Sequence, residues 1–93
     1  MSRLSAGTKR RVKRSLAAEN PTIWVGKGGV SQDFLKEVGK QLDKREMVKV
    51  RILKSALEEG EAKSIAMSAA EQLGASLVEV RGHTFMLFRR RKK

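Results

Sequence analysis

The chain has 93 residues, 40% of them hydrophobic, which suffices for one globular domain with a modest core. It contains no cysteine, which excludes disulfides and cysteine-based zinc sites and fits a reducing compartment, so we expect a cytoplasmic protein. Basic residues outnumber acidic ones by 21 to 10, and no apolar run approaches the roughly 20 residues of a membrane span or forms an N-terminal export signal.

The first half of the chain predicts a helix, a short strand and a second helix. A helix over residues 5–18 presents Val12 and Leu16 on one apolar stripe and ends before an Asn-Pro pair. A β-rich run follows at residues 22–25 and stops at a glycine-rich loop. The second helix, over about 31–45, begins at a serine N-cap and has a buried stripe of four residues, Phe34, Leu35, Val38 and Leu42.

The second half predicts a strand, a third helix and a closing hairpin. Residues 47–53 alternate between an apolar face and a face that carries Lys49 and Arg51. A helix over 61–73 has alanine at several inward positions and ends at Gly74. The last two strands, joined by a tight turn, lie at 77–80 and 85–88.

This order of elements predicts an α/β fold in a single domain. Each strand–helix–strand unit implies parallel neighbours with a right-handed crossover, and the hairpin adds an antiparallel pair. We therefore expect a mixed four-stranded sheet packed with three helices. The domain comprises residues 1–93, with a core over about 4–90 and a basic tail at 89–93.

The positive charge is concentrated at the two ends of the chain. Residues 1–14 and 81–93 each contain six basic residues and no acidic one. Such segregation costs self-repulsion, which a polyphosphate partner offsets because neutralised phosphates release counterions. We interpret the pattern as nucleic-acid binding; basic tails that serve only solubility are the alternative. A membrane surface is disfavoured because the first helix lacks a bulky apolar face.

The glycine-rich loop Gly26-Lys27-Gly28-Gly29 lies between a strand and the start of a helix. Glycines let a backbone approach a ligand closely, and a helix start offers unpaired N–H groups. The spacing is not that of a Walker A loop or a dinucleotide fingerprint. KH-type RNA binders clamp nucleotides with a G-x-x-G loop, and a plain turn between strand and helix is the alternative.

Several single residues have two interpretations. Trp24 either stacks on a base or fills the core, and the sequence does not decide between them. Lys49 and Arg51 either reach phosphates or solubilise a wet face. His83 is interpreted as a turn residue.

Catalysis finds little support in the residue types present. With one histidine and neither cysteine nor tyrosine, cysteine–histidine chemistry is excluded and histidine relays are disfavoured. The acidic residues show no pattern for a metal pair. We therefore expect no enzyme, no catalytic residue, no metal and no cofactor.

Landmarks along nearly the whole chain resemble the CRM (chloroplast RNA splicing and ribosome maturation) domain in its stand-alone prokaryotic, YhbY-like form. In order, they are a basic first helix followed by NP at 20–21, IWVGKGGV at 23–30, EMVKVR at 46–51, LGA at 73–75, and VRG at 80–82 with LFR at 87–89. The departures from the family pattern are Met47 for leucine, Phe88 for tyrosine and Arg81 for an apolar residue.

This resemblance implies a fold like the C-terminal domain of a bacterial translation initiation factor, with the G-x-x-G loop on the RNA-binding side. It also implies binding to structured RNA. Prokaryotic members are linked to maturation of the large ribosomal subunit, whereas plant relatives act in intron splicing. A single domain without a transit peptide fits the ribosomal role, so we expect ribosomal or precursor ribosomal RNA as the partner, and a monomer.

Residues of three parts of the chain are predicted to contact RNA. The loop supplies Lys27 and the backbone of Gly26, Gly28 and Gly29. The flanking basic residues are Lys9, Arg10, Lys13, Arg14, Lys49, Arg51 and Arg81. An unstructured tail adds a largely sequence-blind contact through Arg89, Arg90, Arg91, Lys92 and Lys93. The alternatives are a structural ribonucleoprotein subunit, a splicing or RNA-chaperone adaptor, and an adaptor that binds DNA or protein.

Overall fold

The computed structural model describes residues 5–57 and 61–90, which form one α/β domain. Its helices and strands, in chain order, are α1 (Ala6–Ala17), β1 (Ile23–Val25), α2 (Gln32–Arg45), β2 (Met47–Ile52), α3 (Lys54–Leu57), α4 (Ala62–Leu73), β3 (Ser76–Arg81) and β4 (Thr84–Phe88). All the elements expected from the sequence are present. The short helix α3 is additional, so helices number four instead of three among the described residues.

Local capping explains where the long helices begin and end. Ser5 Oγ accepts a hydrogen bond from Thr8 N at 3.1 Å, and Ser31 Oγ accepts one from Phe34 N at 3.2 Å. Helix α4 ends at Gly74, whose φ of 61° is the left-handed conformation that favours glycine. These caps confirm the helix starts and the helix stop predicted from the sequence.

The sheet has the strand order β1-β2-β4-β3. Strand β1 runs parallel to β2, as the first strand–helix–strand unit predicts. The second unit does not give adjacent strands, because β4 lies between β2 and β3 and pairs antiparallel with both. The expectation of parallel neighbours is therefore wrong for β2 and β3. The closing hairpin places its second strand inside the sheet and leaves β3 at the edge.

Helices cover the two faces of the sheet unequally. Helices α2 and α4 pack on one face, which we call the sealed face, and its core includes Val50, Phe85 and Leu87, each 0% exposed. On the other face α1 buries Val12 and Leu16 against a smaller apolar cluster of Met47, Val78, Met86 and Phe88. Since a single 12-residue helix spans only about 18 Å, part of this second face stays uncovered.

Candidate nucleic-acid interface

The loop at residues 26–29 is a tight turn at the surface. The N–H of Gly29 donates a hydrogen bond to the Gly26 carbonyl at 2.9 Å, which closes a four-residue turn. Gly28 (φ 92°) and Gly29 (φ 63°) both have backbone conformations that side-chain-bearing residues rarely adopt. No heavy atom lies within 4 Å of the point where a Cβ would stand at either glycine. The turn therefore offers bare backbone to an approaching ligand.

The base of the loop, at Gly26, is tightly packed, whereas its tip is open. A Cβ at Gly26 would lie 3.3 Å from Leu53 Cδ1 and 3.5 Å from Ser55 Oγ. The N–H of Leu53 donates to the Val25 carbonyl at 2.9 Å, which ties the chain after β2 to the end of β1. Gly26 thus fixes the loop against the start of α3, and Lys27 is exposed at the next position.

Helix α1 presents the four basic side chains predicted from the sequence in two directions. With Val12 and Leu16 buried, Arg10 and Arg14 lie on the side of the helix opposite to the sheet, and both are exposed. Lys9 and Lys13 share one flank, where Lys13 Nζ lies 3.6 Å from Glu79 Oε1. The sequence-predicted basic residues of this helix therefore form one exposed surface that continues toward β3.

One row of residues across the second face of the sheet is not covered by α1. Trp24 is paired with Arg51, Arg51 with Thr84, and Thr84 with Arg81, so the four side chains point to the same side. We call these four residues the open strip. Trp24 is 56% exposed, which decides between its two sequence interpretations against core filling. The strip lies at the end of the sheet where the loop follows β1.

Lys49 and Arg51, which the sequence places on the same face of β2, have different environments. Lys49 Nζ donates to the carbonyls of Leu16 at 3.0 Å and Glu19 at 2.9 Å, so it satisfies the C-terminal end of α1. The ammonium group of Lys49 is partly buried and engaged, which leaves only Arg51 as an exposed cation of this strand. Lys49 therefore does not lie on a wet face, because α1 crosses the strand there, whereas Arg51 does, and its contact with phosphate stays a prediction.

A β-bulge brings an acidic residue into this basic region. The pairing of β3 with β4 shifts between Leu77 and Glu79. Val78 consequently packs under α1, while Glu79 on the same face lies between Lys13 and the guanidinium of Arg81, at 3.6 and 3.7 Å. Glu79 therefore links the α1 flank to the open strip. No pattern in the sequence predicts the bulge, and Glu79 is absent from the predicted site.

The C-terminal arginines are not a uniform unstructured tail. Arg89 donates to the carbonyls of Leu73 at 2.8 Å and Gly39 at 3.3 Å, and it pairs with Asp43 at 2.9 Å. The side chain of Arg89 joins α2, α4 and the end of β4, so its assignment to a loose tail is wrong. Arg90 is exposed, and Arg91, Lys92 and Lys93 lie outside the described residues.

Phe88 is contacted by two guanidinium groups. Arg11, on the α1 flank away from Lys13, lies 5.9 Å from the ring centroid, and Arg90 lies 6.0 Å from it. The ring itself is 3% exposed. The Phe88 ring is thus buried beneath two cations. Arg11 was not among the predicted site residues, and these contacts indicate a packing role for it.

A bidentate ion pair fastens the end of α1 to the end of α2. Arg45 donates to both carboxylate oxygens of Glu19, at 2.8 and 2.7 Å. This hydrogen bonding lowers the pKa of Glu19 from its ordinary value, against the opposing effect of partial burial, and the nearby charges of Arg45 and Lys49 act in the same direction. The pair helps to set the position of α1 over the sheet.

Residues 4–89 match the CRS1 / YhbY (CRM) domain family, and the chain belongs to this family. It is 37% identical over 90 residues to "Probable RNA-binding protein MJ0652" of Methanocaldococcus jannaschii, a match that covers 97% of this chain and 66% of the relative. It is 31% identical over 88 residues to "Probable RNA-binding protein YqeI" of Bacillus subtilis, covering 94% of this chain and 90% of the relative. The family membership expected from the landmarks is confirmed.

The fold is also that of a solved structure. The solution structure of the hypothetical protein SAV1595 from Staphylococcus aureus superposes with a TM-score of 0.74 at 24% identity, covering 98% of this chain and 93% of that one. The chain spans just under two thirds of the length of the Methanocaldococcus relative. Within residues 5–57 and 61–90, no helix is long and apolar enough to cross a membrane, and no three potential metal ligands cluster together.

Proposed function

We propose that this chain binds RNA through the loop at residues 26–29, the open strip and the basic side of α1. The observation that carries the proposal is the exposed turn with open space around Gly28 and Gly29, at the end of the sheet that also carries Arg51 and Arg81. Backbone N–H groups and cations are the usual partners of phosphate oxygens. The names of the two relatives, both called probable RNA-binding proteins, support the same function.

Each part of the surface has a distinct role in the proposal. Lys27 and the bare backbone of the turn contact a phosphate directly, since no side chain at Gly28 or Gly29 holds the ligand away. Lys9, Lys13 and the outward Arg10 and Arg14 neutralise further phosphates along α1. Arg90 and the residues after it add contacts, whereas Lys49 and Arg89 support the fold that presents the others.

The finer proposal is a ribosomal role. The partner is ribosomal or precursor ribosomal RNA, and the protein acts in maturation of the large subunit as a cytoplasmic monomer that binds without catalysing a reaction. The domain extends over residues 1–93, with its core at about 4–90. The resemblance of the sequence landmarks to stand-alone prokaryotic members supports this role.

A salt titration and one charge reversal test the RNA-binding surface. Six phosphate contacts, by analogy with duplex DNA, predict about a thousandfold loss of affinity between 50 and 200 mM salt. Lys27→Glu is expected to weaken binding of labelled ribosomal RNA fragments at least about tenfold, as loss of a charged contact predicts. Lys40→Glu, on the solvent side of α2, changes the net charge equally and is the matched control.

Equal losses for Lys27→Glu and Lys40→Glu would show that binding depends on net charge alone and would remove the loop from the interface. A flat salt dependence would contradict the whole proposal. Crosslinking in cells followed by sequencing of the bound RNA tests the ribosomal role separately. Enrichment of large-subunit RNA supports it, whereas enrichment of other RNAs overturns the target and leaves RNA binding intact.

A further inference from the structure

Trp24 has an environment that packing does not explain. All three phenylalanines of the chain are buried, at 7%, 0% and 3% exposure, whereas Trp24 is 56% exposed. Its neighbours Ile23 and Val25 point to the sealed face and are buried. A large aromatic side chain left in water gains little hydrophobic stabilisation, and folding does not require it there. An exposed aromatic beside cations is the usual platform for a nucleobase.

The charges around Trp24 suit a nucleotide. Arg51 is the direct neighbour of Trp24 on β2, and Lys27 follows Trp24 by three residues in the sequence. At the far end of the open strip Arg81 is paired with Glu79, whose charge is also compensated by Lys13. Adjacent strands are about 4.8 Å apart, so the row from Trp24 to Arg81 extends over about 14 Å. A ring with cations beside it and farther along can hold a base and its flanking phosphates.

We propose that Trp24 and Arg51 form a subsite for an unpaired nucleobase of the bound RNA. The base stacks on the indole ring of Trp24, and Arg51 and Lys27 hold the adjoining phosphates. This inference rests on the proposed RNA binding and adds that the recognised segment is single-stranded, because the bases of a duplex are stacked inside it and their faces are not available. Stacking of this kind tolerates any base.

The fluorescence of the protein reports directly on this subsite. The chain has one tryptophan and no tyrosine, so intrinsic emission excited in the tryptophan band comes from Trp24 alone. Titration with an unlabelled oligouridylate is expected to quench this emission, while an RNA duplex of the same length quenches it much less. Anisotropy of the labelled RNAs measures binding independently. A rise in anisotropy with unchanged tryptophan emission for the oligouridylate overturns the subsite but leaves RNA binding; no rise for either RNA overturns RNA binding itself.

A set of variants gives a second measurement. Trp24→Leu is expected to weaken binding of the oligouridylate about 5- to 150-fold, as loss of one stacked base predicts, and to change duplex binding less than about twofold. Trp24→Phe retains a ring and should lose less. Met67→Ala removes another exposed apolar side chain, 53% exposed on α4 beyond the sealed face, and is the matched control. If Trp24→Leu lost the same affinity for the oligouridylate and the duplex, the subsite would be overturned. If it lost affinity for neither RNA, the subsite would also be overturned, and a protein partner on the open strip would be favoured.

Discussion

The two faces of the sheet differ in what they bury. The sealed face packs only apolar side chains beneath α2 and α4, and within the described chain no polar or charged residue is buried. The second face places apolar residues under α1, an engaged lysine at the end of that helix, and exposed Trp24 and Arg51 beyond it. The sealed face therefore serves stability alone, whereas the second face combines a buried apolar cluster with the residues proposed to bind RNA.

The largest expected difference between the two faces is in the free energy of unfolding, measured by one substitution on each face of β4. Leu87 is 0% exposed on the sealed face, so Leu87→Ala should lower the free energy of unfolding by about 2–5 kcal/mol through lost burial and the cavity left behind. Thr84→Ala, on the open strip of the same strand, should change it by less than about 0.5 kcal/mol. Urea denaturation of both variants measures the contrast. Similar costs for the two would mean that the strip also carries the fold.

The next contrast lies within β2. Lys49→Met should cost about 1–3 kcal/mol, because the carbonyls of Leu16 and Glu19 lose the hydrogen bonds that the ammonium group donates, although the Glu19 N–H still donates to Leu16. Arg51→Met should leave stability within about 0.5 kcal/mol of the parent and weaken RNA binding instead. Thermal unfolding and RNA anisotropy on the same two proteins check the prediction. Reversed outcomes would assign the ligand-binding role to Lys49 and contradict the capping interpretation.

A smaller difference in stability is expected between substitutions of Arg89 and Arg90. Arg89→Met should lower stability by about 1–2 kcal/mol, since it removes contacts to α2 and α4. Arg90→Met should cost at most about 0.5 kcal/mol, the value of an exposed cation–ring contact. Chemical denaturation distinguishes the two substitutions. If both variants unfold at the same denaturant concentration as the parent, Arg89 belongs to the loose tail after all.

The smallest effect expected is a pH dependence from the Glu19–Arg45 pair. Because the pKa of Glu19 is lowered in the folded state, its contribution to stability is present above the ordinary value of 4.5 and is lost as the pH falls through the folded value. The side chains of Arg45 and Glu19 are 40% and 34% exposed, so screening by solvent limits the contribution to about 0.5–1 kcal/mol. The free energies of unfolding of the parent and of Glu19→Gln should differ at pH 7, and this difference should disappear as the pH is lowered into the acid range. A difference that persists in acid would contradict this origin.

Local chemistry in the sequence predicts most of the fold. Serine caps, the glycine stop at Gly74, the alternation of β2 and the apolar stripes of the helices all act within a few residues, so their outcome can be predicted without knowing the rest of the chain. The exceptions are α3, which is too short for a periodic pattern, and the bulge at Val78, which shifts a register set by pairing with β4. Family membership was likewise apparent from the order of the landmarks.

The sequence by itself determined the glycine turn, the excess of basic residues at the two ends of the chain and every element except α3. Only the tertiary structure decided which of those cations are available, since the path of α1 over β2 and the docking of β4 between β2 and β3 depend on contacts between distant residues. Those contacts engage Lys49 and Arg89 and leave Trp24 and Arg51 in water. A pattern of alternation places two residues on one face, but only packing determines what covers each of them.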